Sequence, residues 1–402
     1  MPAMMPNVMT GLDVLVAQSF APLRGQRVGL VAHPASVDAR LRHAIDLFSA
    51  APGLTLTAIF GPEHGLMGQA QDLIHVAEHE STGHGAAEVR LHSLYGSNAA
   101  SLRPSRDSLR GLDVLVIDLQ DVGSRYYTFQ ATMLYCLEAA LPLGLPVMIL
   151  DRPNPIGGGA VEGPALRPGF ESFVGCANLA TRHGLTMGEL ALLYVRERGL
   201  DGAALTVVKC EGWKRGQYFE DTGLPWVLPS PNMPTAETAV VYPGGCLVEG
   251  TNLSEGRGTT RPFEVMGAPW LPGREFAAKL TGARLPGVVF RPLTFRPTFQ
   301  KHAGKDCGGV QIHVTNRQAF LPVRTGYAFL QTAYALAPEA FQWRTEIYEY
   351  VTDPIAIDLL FGSPRERQAI EQGVPWQDAC AGWSAEESGF GQRRNEFLLY
   401  PA

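Results

Sequence analysis

No run of apolar residues in this chain is long enough to cross a bilayer, so a helical membrane span is excluded. Positive charge is in short supply. Lys and Arg number 33 against 39 Asp and Glu, a formal net charge of -6, so the basic excess of a nucleic-acid partner is missing. CxxC pairs are absent as well: Cys136, Cys176, Cys210, Cys246, Cys307 and Cys380 are scattered singly, which in a chain this size points to reduced, partly buried thiols. Neither GxGxxG nor GxxxxGK[ST] occurs, so no phosphate cradle and no nucleotide cofactor are expected. The start, Met1 to Asn7, has neither the charged end nor the apolar centre of a signal peptide; as written the expected location is cytoplasmic, or periplasmic or secreted if a leader is missing. Repeats and low-complexity tracts are also lacking. What remains is a 402-residue chain, 46% hydrophobic and 18% charged, with 44 Gly and 30 Pro. That describes a globular protein rich in shaped loops, with enough chain for two domains.

Five short apolar runs each end in a polar cluster. Val28 to Ala32 leads into His33-Pro34, Leu54 to Phe60 into Gly61-Pro62-Glu63-His64-Gly65, and Val114 to Ile117 into Asp118-Leu119-Gln120-Asp121. Val147 to Leu150 leads into Asp151-Arg152-Pro153-Asn154-Pro155, and Leu205 to Val208 into Lys209-Cys210-Glu211. Runs of this length, β-branched and separated by helix-length stretches, read as buried parallel strands. Ligands bind outside the carboxyl ends of such strands, so the clusters are expected to converge. Helices are expected over Ser36 to Phe48 and Ala131 to Leu141, and Thr186-Met187-Gly188-Glu189 reads as a capping box in which Glu189 is structural. The fold class is α/β: a Rossmann-like parallel-sheet domain over 1–235 and a smaller α+β domain over 236–402 completing a cleft.

Glu63 and His64, held between Pro62 and Gly65, form the first candidate for catalysis, because a carboxyl partly shielded from water can act as a general acid near neutral pH. Asp118 and Asp121 are further catalytic candidates. The stretch from Asp118 to Thr128 also brings Gln120, Arg125, Tyr126 and Tyr127, a mix suited to a polyhydroxylated ligand. Arg152 and Asn154, then Ser230 and Asn232, then Glu249, Asn252, Glu255 and Arg257 in a Gly-rich loop complete the candidate binding residues. His75-Val76-Ala77-Glu78-His79 spells the inverted zinc-peptidase signature, but Gly68, Gly83 and Gly85 leave room for only a short helix, so no metal is expected.

Together these motifs resemble the exo-β-N-acetylmuramidase NamZ family, long described as a domain of unknown function. The resemblance rests on Phe60 to Gly65, Ser93 to Gly96, Asp118 to Gly123 with Arg125 to Thr128, and Asp151 to Pro155, and continues through Val161 to Pro164, Pro229 to Pro234, Glu249 to Thr260 and Phe397 to Tyr400. It implies a Rossmann-like domain and a smaller C-terminal domain around the active cleft. It also implies release of terminal N-acetylmuramic acid from the non-reducing end of peptidoglycan-derived glycans or muropeptides, no nucleotide cofactor, and Glu63 as the catalytic acid. His33-Pro34-Ala35 and the His-rich stretch from Gln69 to Ala87 depart from the family pattern.

Three questions stay open at this level. The group acting on the opposite face of the sugar is Asp118, Asp121, Glu255 or the substrate's own acetamido group, with a carboxylate about 5 Å from Glu63 favouring a protein nucleophile and roughly 6.5–9.5 Å favouring inversion. The lactyl carboxylate that distinguishes N-acetylmuramic acid from N-acetylglucosamine needs a cation; Arg125 is the first choice, ahead of Arg152 and Arg257. A cell-wall sugar-binding protein without catalysis would use the same residue types, and a zinc peptidase is the distant alternative.

Overall fold

The structure, a computed structural model, describes residues 7–68, 70–71, 74, 79–82 and 89–402, with the side chains of 79–82 left aside. Among them a seven-stranded sheet runs in the order β3-β4-β2-β1-β5-β6-β7. Its strands are β1 (Arg27–Ala32), β2 (Thr55–Gly61), β3 (His79–Thr82), β4 (Val89–Ser93), β5 (Val114–Asp118), β6 (Val147–Leu150) and β7 (Leu205–Val208). All pairings are parallel except that of β3 with β4. The five apolar runs are five of the parallel strands. In β5, Val114 and Val116 join one apolar cluster while Leu115 and Ile117 join the other, and β6 divides Met148 and Leu150 from Val147 and Ile149 in the same way. Alternate residues point to opposite faces, and both faces are covered, so the runs read as continuously apolar. Helices Gly11–Ala17 and Ala44–Ala50 pack on one face, Phe129–Ala140 and Met187–Glu197 on the other.

The chain corrects the helix expected over Ser36 to Phe48. Asp38 accepts hydrogen bonds from the backbone N–H groups of Arg40 and Arg42, Val37 bridges to His43, and Leu41 turns left-handed, so the helix starts only at Ala44. Local side-chain bonds to backbone compete with helix, and here they win. The capping box is present: Thr186 N–H donates to Glu189 at 3.0 Å and Glu189 N–H to Thr186 Oγ1 at 3.3 Å. Glu189 also holds Arg215 at 2.6 Å, which makes it a structural anchor.

A three-stranded antiparallel sheet, β8 (Val265–Ala268), β10 (Cys307–Val314) and β9 (Val288–Phe295), follows in the order β8-β10-β9. Helix Ala236–Gly245 crosses helix Pro322–Leu336 closely, because a Cβ on Gly244 would lie 1.9 Å from the Pro322 carbonyl oxygen; only glycine permits that approach. The larger apolar cluster runs unbroken from β5 and β6 to β10 and the C-terminal helices. All six cysteines are buried and unbridged. Among the described residues no helix is long and apolar enough to cross a membrane.

Candidate active site

Strand order reverses between β1 and β5, and polar loops from both sides of that switch point build the cleft. After β2 the chain makes a tight double turn: Gly65 N–H donates to the Pro62 carbonyl at 3.0 Å, and both His64 (φ 69) and Gly65 (φ 79) are left-handed. A non-glycine residue in that conformation stores strain, which the surrounding bonds must hold. One such bond runs from His64 Nδ1–H to the Ala70 carbonyl at 2.9 Å. The turn brings Glu63, only 5% exposed, against the loop after β5, where Thr128 Oγ1 donates to Glu63 Oε2 at 2.5 Å.

His33, at the end of β1, fastens a third segment. Gln120 N–H donates to His33 Nε2 at 2.9 Å, and His33 Nδ1 meets the Pro229 carbonyl at 3.3 Å. Burial, with Arg152 nearby, holds the imidazole well below its usual pKa, so it stays neutral and can accept at Nε2. Pro229 precedes Ser230, and thus the strand end sets the position of the Ser230 to Met233 wall.

The resulting narrow cleft is lined by Glu63, His64, Tyr126 to Phe129, Val174, Ser230, Asn232, Met233, Tyr242, Glu249, Arg257, Phe263, Tyr348 and Glu349. Burial keeps the Tyr127, Tyr242 and Tyr348 hydroxyls protonated. Arg257 binds Glu249 at 2.7 Å and Glu255 at 3.2 Å and lies 5.2 Å over the Phe263 ring. Tyr348 hydroxyl donates to the other oxygen of Glu249 at 2.7 Å.

Of the candidate residues the cleft therefore gathers Glu63, His64, Tyr126, Tyr127, Ser230, Asn232, Glu249 and Arg257. The others lie off this lining, in supporting positions. Arg125 is 1% exposed and its guanidinium donates to four backbone carbonyls, of Pro164, Leu179, Leu360 and Phe361, at 2.6–2.9 Å. Burial lowers its pKa to about 10, which still leaves it charged at neutral pH, and its bonds join distant loops. Arg152 is spent on Asp118, with bonds of 2.6 and 2.8 Å. Arg152 and Gln120 border a separate small cavity beside Trp226. Asp121 accepts the Gly123 N–H at 2.5 Å and faces His183 at 3.4 Å. Asn154 bonds the Leu185 carbonyl and the Ile156 N–H, and Asn252 the Ala340 carbonyl and the Gln342 N–H, which is turn and loop closure in both cases. Glu255 sits between Arg257 and Lys301; burial pushes its pKa up, but the two cations outweigh it and hold it below the usual range. The strand-end clusters thus divide between two cavities.

Sequence reading missed Glu349 and Tyr348. Tyr348 and Val351 exchange both backbone hydrogen bonds, at 3.0 and 2.9 Å, around Glu349 (φ 46) and Tyr350 (φ 66). Two central residues at positive φ in a two-residue hairpin normally ask for Asn-Gly, and Glu-Tyr carries no such signal. Tyr95 hydroxyl donates to Glu349 Oε2 at 3.0 Å. Burial raises the Tyr95 pKa, and Glu63 and Glu349 both raise it further, which ties these two carboxylates to one neighbourhood. The HxxEH stretch at 75–79 lies outside the described side chains. Among the described residues no group of three His, Cys, Asp or Glu side chains is arranged to hold a metal.

Comparison with known proteins agrees with the motifs. The family model for the N-terminal part of exo-beta-N-acetylmuramidase NamZ matches residues 28–237, and that for the C-terminal part matches residues 240–400. The peptidoglycan beta-N-acetylmuramidase NamZ of Bacillus subtilis (strain 168) is 44% identical over 397 residues, 98% of this chain and 92% of the relative. Crystal structures of two DUF1343 family proteins from Bacteroides fragilis NCTC 9343 are similar, with TM-scores of 0.86 and 0.74 at 33% and 28% identity, each covering 98% of this chain and 99% of theirs. With both halves matched in order along nearly its whole length, the chain belongs to the exo-β-N-acetylmuramidase NamZ family.

Proposed function

We propose that Glu63 is the general acid with which this exo-acting β-N-acetylmuramidase releases terminal N-acetylmuramic acid from the non-reducing end of peptidoglycan fragments. The observation that carries the assignment is a buried carboxyl at the end of β2, on the cleft wall, with one oxygen already held by Thr128. The proton on its other oxygen passes to the glycosidic oxygen as the bond to C1 breaks; water supplies the oxygen that C1 gains and its proton restores the acid-base balance. Tyrosines and Phe263 offer faces and hydroxyls to the sugar ring. Of the three arginines in the signature loops Arg257 is the one on the lining, where Glu249 and Glu255 already share its guanidinium.

Glu249 and Glu349 are the other carboxylates on the lining. Glu249, fixed by Tyr348 and Arg257, is assigned to the opposite face of C1, where it orients either the attacking water or the 2-acetamido group. Glu249→Gln is then expected to lower kcat by about a hundredfold or more, and equally for activated and unactivated leaving groups. A loss confined to unactivated leaving groups would move Glu249 to the acid side. The reaction itself is tested by product: incubation with N-acetylmuramyl-N-acetylglucosamine and detection of free N-acetylmuramic acid. A sugar-binding protein would retain the disaccharide unchanged.

A further inference from the structure

Glu349 borders two spaces. It lines the cleft with Glu63, and it also lines an open surface depression of about 500 Å³ with Tyr95, Ser97, Asn98, Ile347 and Tyr350. The loop after β4 and the hairpin at Tyr348 to Val351 build this depression together. Tyr350 hydroxyl donates to the Gly96 carbonyl at 2.8 Å, Tyr95 hydroxyl to Glu349 at 3.0 Å, and the Tyr95 and Tyr350 rings meet edge to face at 5.6 Å. These contacts fix the hairpin against the loop. They leave Ile347 62% exposed, one of the few large apolar side chains on the described surface.

Resting on the reading that the cleft takes the terminal muramic acid, we infer that this depression is the subsite for the leaving-group sugar, the N-acetylglucosamine whose O4 is freed. Three observations lead there. An exo-acting enzyme seats one sugar, so the remaining glycan must pass out beside the acid, and Tyr95 feels both Glu63 and Glu349. The lining combines an apolar side chain and aromatic surface with a hydroxyl and an amide, the chemistry that suits a sugar face and its edge groups. Among the described residues no Lys or Arg stands on it, and the one charged group there is a carboxylate, so a neutral sugar fits where a peptide bearing carboxylates would be repelled.

The test compares two substrates of the full chain: N-acetylmuramyl-N-acetylglucosamine, and a trifluoroethyl glycoside of N-acetylmuramic acid, whose leaving group is too small to reach the depression. Two variants at exposed positions are used, Ile347→Ser to remove the apolar platform and Ser97→Gln to crowd it. Each is expected to lower the ratio of kcat/KM for the disaccharide to that for the trifluoroethyl glycoside about tenfold, through KM. An unchanged ratio in both variants overturns the inference. So does a selective loss on a substrate carrying a stem peptide with the bare disaccharide unaffected, which would make the depression a peptide site. If the unaltered protein hydrolyses neither substrate, the functional reading itself fails, and the subsite with it.

Discussion

Glu63→Gln is expected to fold normally and to lose about three orders of magnitude in kcat on N-acetylmuramyl-N-acetylglucosamine. Glutamine keeps the volume and an acceptor for the Thr128 hydroxyl, so the turn after β2 loses no hydrogen bond. It removes only the transferable proton. A sugar alkoxide is a poor leaving group and needs that proton, whereas a dinitrophenolate leaves without it. The variant should therefore recover most of its rate on a dinitrophenyl glycoside of N-acetylmuramic acid, and this dependence on the leaving group marks an acid where a merely structural carboxylate would lose rate on both. Near-normal turnover of the disaccharide by a folded variant overturns the assignment.

The place of Glu63 on the cleft wall was legible because two independent patterns met on it: an apolar run ending in a tight Pro and Gly turn, and the fold rule that places ligands at strand ends. Those patterns depend on local chain geometry, which sequence carries well. The parallel strands were legible for the same reason, since Val147 to Leu150 and Leu205 to Val208 are bounded by turn residues on both sides. Long-range contact was not legible. Nothing near Arg125 in the sequence announces the carbonyls of Leu360 and Phe361, more than 200 positions away. Nor does anything near Asp118 select Arg152 in preference to Arg125 or Arg257 as its partner. Tyr348 and Glu349 were missed for a further reason. Glu349 stands in a turn whose backbone its own residue type disfavours, so local propensity argues against the conformation that tertiary contacts enforce.

The displacement of Arg125 from reader to strut reverses what its substitution should do. A lactyl reader replaced by Met would lower turnover of the muramic acid substrate far more than of its glucosamine analogue. A strut replaced by Met leaves four buried carbonyls without their charged donor, and each orphaned acceptor costs about 1–3 kcal/mol when water cannot reach it. Partial relaxation reduces the sum, so Arg125→Met is expected to lose at least about 3 kcal/mol of stability. The urea midpoint should fall, and activity on both substrates should decline by the same factor as the folded fraction declines. Arg125→Lys is the informative companion: it keeps the charge but loses the planar fork that reaches carbonyls of three chain segments at once, so it should recover only part of the lost stability. Selective loss of the muramic acid substrate in a variant with an unchanged urea midpoint would restore Arg125 to the ligand.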